Sequence, residues 1–195
     1  MKQYPQLAAE LNVPLLGGDA YMPGIPLLNL IKRPLHVEGE YRGRHLKIYD
    51  FTRGSGQNSS AHHAVRLSLN QPTTLSFKLG VEGFFAKIGK AVGMQDIETS
   101  DPVFDAAFVV KCSDTNFVHG ALLPEIRQEF LNIKERWPKG FGSISLNGGM
   151  FGGKDSVLIY EEYGSLRKDA DRQRAGALAS AMSDLAAAIE VYTAP

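Results

Sequence analysis

The chain has 195 residues, 44% hydrophobic and 22% charged, enough for one domain with a sizeable core and short for two. It balances 21 basic against 21 acidic side chains, with 11 basic and 8 acidic up to position 100 and 10 and 13 beyond. That pattern excludes the basic stripe of a dedicated nucleic-acid binder and a polybasic membrane patch.

Residues 1–34 read as an extended N-terminal arm packed on a single α+β domain of residues 35–195. A short helix is predicted near Gln6–Leu11. After it, Pro14, Gly17, Gly18, Pro23, Gly24 and Pro26 break up an apolar run. Leu15, Leu16, Ile25, Leu27 and Leu28 are too apolar for a free tail, so the arm should lie along the domain or cover a sheet edge. The opening residues lack a signal-peptide core, and no stretch reaches the length of a membrane span. The expectation is a cytoplasmic protein without a transmembrane segment.

Strands follow. Val37–Tyr41 and Arg44–Arg53 flank the tight turn Arg42-Gly43, a hairpin signal. Beyond the loop GSGQNSS, HHAVRLSL alternates with Val65, Leu67 and Leu69 on one face, and LSFKL repeats the pattern with Leu75, Phe77 and Leu79. The four segments read as a meander. In 83–93 the period changes, with Phe84, Ile88 and Val92 at helix spacing. A polar loop, QDIETSDP, comes next, its acids reading as a solvated connection. Phe104, Ala106, Phe108, Val110 and Cys112 then alternate as a strand.

Ser113 and Asp114 can cap the following segment. Pro124 suits a first helical turn, and Ile126, Phe130, Ile133 and Trp137 keep helix spacing behind it. Ser143–Leu146 and Ser156–Tyr163 make a second hairpin. From Asp169 to Tyr192, Leu178, Met182, Leu185, Ile189 and Tyr192 mark a long final helix. Its stripe can dock on the sheet or form a homodimer seam; docking is favoured because a sheet needs a cover.

The fold class is α+β: a predominantly antiparallel arrangement of about seven strands with a long C-terminal helix. That element order is similar to the pleckstrin-homology architecture of two packed sheets. A single antiparallel sheet with helices on one face is the rival.

The candidate chemistry is sparse. Gly148 to Lys154 satisfies G-x-x-x-x-G-K, but Asp155 replaces the magnesium-binding hydroxyl and a strand-like SVLIYEEY replaces the required helix. A Gly-rich hairpin loop fits better, with Met150, Phe151 and Lys154 as contact residues. Neighbours on a strand point to opposite faces, so His62 and His63 cannot share a metal ion. No metal site or cofactor is indicated.

Pairing Leu46 with Leu67 and Ile48 with Val65 buries the apolar residues together and sets Asp50 opposite His63. This carboxylate–imidazole contact reads first as a structural pair. As an alternative it could serve a small hydrolase or transferase. Arg53 and His62 take the opposite parity, available to an anionic ligand. Cys112 reads as a buried small hydrophobe. Arg167, Lys168, Arg172 and Arg174 begin the last helix, where the macrodipole disfavours cations, and read as a solvated face.

Two stretches, VEGEYRGRHLKIYDF with GSGQNSSAHHAV and FDAAFVVKCSD with ALLPEIRQEFL, carry Gly39, Tyr41, Gly43, Arg44, Phe104, Asp105, Phe108, Asp114, Leu122, Pro124, Glu125 and Arg127. In this pattern the chain resembles a group of bacterial domains of unknown function, some tethered behind transmembrane helices. The resemblance spans roughly residues 35–135. It implies a fold and no activity. The functional expectation is a binding or interaction module for a protein or small-molecule ligand, without recognisable catalytic machinery.

Overall fold

The structure, a computed structural model, describes residues 3–18, 33–81, 95–146 and 156–194. Its elements are α1 (Tyr4–Leu11), β1 (Leu15–Gly18), β2 (Arg33–Tyr41), β3 (Arg44–Arg53), β4 (Ser60–Ser68), β5 (Phe77–Gly80) and β6 (Gln95–Ile97). There follow α2 (Pro102–Ala107), β7 (Val109–Cys112), α3 (Thr115–Gly120), α4 (Pro124–Arg136), β8 (Ser143–Leu146), β9 (Val157–Tyr163) and α5 (Asp169–Thr193). The class is α+β, as the alternating segments imply, with nine described strands where about seven were expected.

These strands form one hydrogen-bonded sheet in the order β1-β2-β3-β4-β9-β8-β5-β7-β6, each neighbouring pair antiparallel. The β2–β3 turn has Arg42 at φ 48° and Gly43 at φ 74°. Two consecutive left-handed residues match the twist of the flanking strands. The tip is fastened to the last helix by Arg42–Asp184 at 3.1 Å and Arg44–Glu190 at 2.5 Å.

The described helices lie against one face. On α5, Leu178, Met182, Leu185 and Ile189 are fully buried. The helix runs over β3, β4 and β9 between α1 and α4. The packing against α1 is close: a Cβ at Gly176 would come into ordinary contact with Leu7, at 3.8 Å. The α5 stripe is thus spent within the chain. No described helix is long and apolar enough to cross a membrane. From the N-terminal segment, Tyr4 and Leu7 are buried in the core, while Leu15 and Leu16 sit in the edge strand β1.

Several expectations need correction. The expected meander loses its last strand, because β4 pairs with β9 and β5 lies between β8 and β7. The alternating run from Phe104 to Cys112 is half helix. Asp101 caps α2 by accepting the Val103 and Phe104 amides, both at 3.1 Å, and Pro102 pre-sets the first turn, so local capping overrides a period of two. The acidic loop is not merely solvated. Asp105 accepts the Thr99 amide at 2.9 Å, Asp101 meets Arg127 at 3.4 Å, and residues 95–97 form the edge strand β6. The helix expected at 83–93 lies outside the described residues.

Asp101→Ala should therefore lower the urea midpoint, because it removes the α2 cap and the contact with Arg127. Urea denaturation checks this. An unchanged midpoint would mean that the packing of Phe104, rather than the cap, sets α2.

Candidate functional site

At one end of the helix-covered face lies a sealed cluster of polar groups. β3 and β4 pair in the expected register, with Asp50 opposite His63. The imidazole, however, does not bond that carboxylate. His63 Nδ1 lies 3.1 Å from the Gly164 carbonyl, and Nε2 faces Glu162 at 3.7 Å. Asp50 instead accepts the Leu166 amide at 3.2 Å, tying the β9–α5 connection to the sheet, and its charge adds to burial in raising the Tyr4 phenol of α1.

Glu162 is the hub. Arg174 Nη2 donates to its Oε1 at 2.5 Å and the Tyr160 hydroxyl to its Oε2 at 2.6 Å. The Gly142 amide in turn donates to the Tyr160 oxygen at 3.0 Å. Asp171 stands 3.5 Å from Arg174. Burial raises the Glu162 carboxyl to about 7, with Arg174 and Tyr160 holding it back. Burial depresses the His63 imidazole, and the Arg174 charge adds to that. Burial and the Glu162 charge raise the Tyr160 phenol.

His63 is 1% exposed and Glu162 6%. A base shut away from solvent cannot reach a substrate, so this geometry does not support the hydrolase or transferase alternative. It is a clasp. The arginines at the start of α5 also differ from the solvated face expected. Arg174 is buried on Glu162, and Arg172 pairs with Asp169 and Glu10. Cys112 is buried, which raises its thiol and removes it as a nucleophile.

The opposite face, against which no described helix packs, carries the other candidates. Arg53 and His62 share it, as parity predicts, in a row of rings. Phe51 and His62 stack at 5.4 Å, Tyr163 meets His62 edge-on at 5.6 Å, and Tyr49 lies 5.9 Å from Phe51. Arg53 sits over the Phe51 ring at 5.6 Å and pairs with Glu161 at 2.7 Å. Ser60 Oγ lies 2.9 Å from His62 Nε2. Tyr163, 75% exposed, completes the strip. Sequence reasoning missed Tyr163 and Phe51; their parity signals the face, but only the β4–β9 pairing makes them neighbours of His62. Met150, Phe151 and Lys154 lie outside the described residues.

A polar groove of about 530 Å³ opens at the C-terminal end of α5 between Thr73, Leu75, Ser113 and Tyr192. Its carboxylate, Asp114, already accepts the Tyr192 hydroxyl at 2.7 Å and caps α3 through the Asn116 amide at 2.9 Å. The lining satisfies itself.

No family model and no curated protein matches the chain. Among solved structures it is similar to the mycobacterial trehalose monomycolate transport factor A, TtfA. The two share 8% identity and a TM-score of 0.53, over 97% of this chain and 93% of that one. At that identity the likeness is one of fold.

Proposed function

We propose that the protein is a non-catalytic binding module that presents to a partner protein the sheet face opposite its described helices. The observation that carries this reading is the ring strip Tyr49–Phe51–His62–Tyr163, which ends in a largely exposed tyrosine. Folding gains little from leaving such a ring in water, whereas rigid aromatic side chains are the commonest energetic anchors of interfaces. A transport factor of similar fold agrees with a role exercised through contacts rather than chemistry, without fixing the partner.

A photo-crosslinking residue at position 163 should trap one discrete partner in cells, and Phe51→Ala should reduce the yield several-fold. The same crosslinker at Val103, 68% exposed on the helix-covered side, should not trap it. Equal trapping from both positions, or none from 163, would remove this reading.

A further inference from the structure

The sheet register places a row of charges across this same face. Reading from strand to strand, the paired residues are Glu38, Lys47, Arg66, Ile159, Ser145, Lys78, Lys111 and Asp96. The row contains two like-charge pairs directly opposite one another, Lys47–Arg66 and Lys78–Lys111. Such pairs are unfavourable for a sheet. The outer member of each has a carboxylate at the row's end: Lys47 meets Glu38 at 2.7 Å and Lys111 meets Asp96 at 2.5 Å. Among the described residues, the inner members Arg66 and Lys78 have no ion-pair partner. They stand three strand spacings apart, roughly 14 Å, with Ile159 and Ser145 between them.

We infer that the partner of this face contributes an acidic segment, laid extended across the strands, with one carboxylate on Arg66 and another on Lys78. This rests on the reading of this face as the binding surface. The spacing sets the chemistry. Two carboxylates four residues apart in an extended chain are about 13 Å apart and point the same way. The side chain midway between them then falls between Ile159 and Ser145, so a small residue fits there. A continuous phosphate track fits worse, because Glu38, Asp96 and Glu161 stand at the ends of the row and beside it. The same carboxylates oppose a uniformly anionic membrane.

The test uses the full chain, isotope-labelled, titrated at low salt with a synthetic peptide carrying two glutamates four residues apart. Parallel titrations use the glutamine version of that peptide, an oligothymidylate, and phosphatidylserine vesicles. The expected result is amide shifts centred on β4, β9, β8 and β5 with the glutamate peptide alone. Affinity should fall with added salt, and about tenfold when Arg66→Gln and Lys78→Gln are combined. Arg66→Lys should keep most of it. The double variant should melt no lower than the parent, since it relieves like-charge contacts, so lost binding would not reflect lost folding. Shifts elsewhere, equal binding by the double variant, or preference for the oligonucleotide or the vesicles would each overturn the acidic-segment proposal. The position-163 crosslink judges the face separately: if it survives in the double variant with unchanged yield, the face stands and the acidic partner falls.

Discussion

Arg174→Met should destabilise the protein by about 3–5 kcal/mol at neutral pH, the cost of stranding one member of a buried ion pair. Arg174 and Glu162 are each 6% exposed and 2.5 Å apart, so neither can turn to water when its partner is removed. Pairing Arg174→Met with Glu162→Leu should recover most of the loss, because a buried pair replaced by apolar side chains of similar volume is often near neutral. The Tyr160 hydroxyl would still receive the Gly142 amide. Urea denaturation of the singles and the double measures the coupling. A single-variant cost below about 1 kcal/mol, the scale of a surface pair, would show that the clasp contributes little.

The same cluster gives the pH response a sign. The Glu162 carboxyl is raised from 4.5 to about 7, so its contribution is fully present below 4.5 and is lost as pH rises through about 7. His63 is lowered from 6.5, so its contribution is present above 6.5 and is lost as pH falls through its folded value. Between these limits the two trends oppose, and the parent's stability should be comparatively flat. Glu162→Gln removes one of them. Its stability, though lower throughout, should climb with pH across the range where His63 loses its proton. A profile parallel to the parent's would remove Glu162 as the source.

Gly142→Ala should be as damaging, about 3 kcal/mol or more, by a different route. A Cβ there would stand 1.8 Å from the Glu161 carbonyl oxygen and 2.8 Å from its carbon. Those are backbone atoms of β9, held in the ladder by the Ser143–Glu161 pairing, so neither strand can yield without opening the sheet beside the clasp. Gly140 is crowded differently: at φ +91°, its added Cβ would meet Glu162 Oε1 at 2.4 Å. Gly43→Ala is the control. Its φ of +74° also disfavours a side chain, but nothing lies within 4 Å, so only about 1 kcal/mol should be lost. Thermal melts of the alanine variants distinguish steric from conformational cost. Equal losses at Gly43 and Gly142 would mean that the close approach to Glu161 is not what excludes a side chain.

The residues that carry the resemblance to a group of bacterial domains serve the fold in the same direct way. Gly43 makes the turn and Arg44 pairs with Glu190. At Gly39 a Cβ would come 2.7 Å from Pro14 Cδ. Asp105 and Asp114 hold chain at helix starts, and Arg127 donates to the Leu122 carbonyl at 2.7 Å while meeting Asp101. Each of these contacts is made within the chain. A shared pattern of this kind specifies an architecture and leaves the activity open.

The sequence by itself determined what local periodicity and turn chemistry can determine. These are the β2–β3 hairpin with its Arg42-Gly43 turn, the β3–β4 register down to Asp50 opposite His63, the Pro124 helix, and the long apolar stripe of α5. It failed where two local signals competed, as in the alternating run at Phe104, which the Asp101 cap turned into a helix. Only the tertiary structure decided which distant strands meet. Placing β9 beside β4 brings Glu162 against Arg174 and His63, and Tyr163 against His62. Threading β5 between β8 and β7 completes the charge row. Hydrogen bonds between strands do not depend on how far apart the strands lie in the chain, so no spacing along the sequence could encode these meetings. Asp50 and His63 illustrate both halves: their register was legible from parity, and their partners were not.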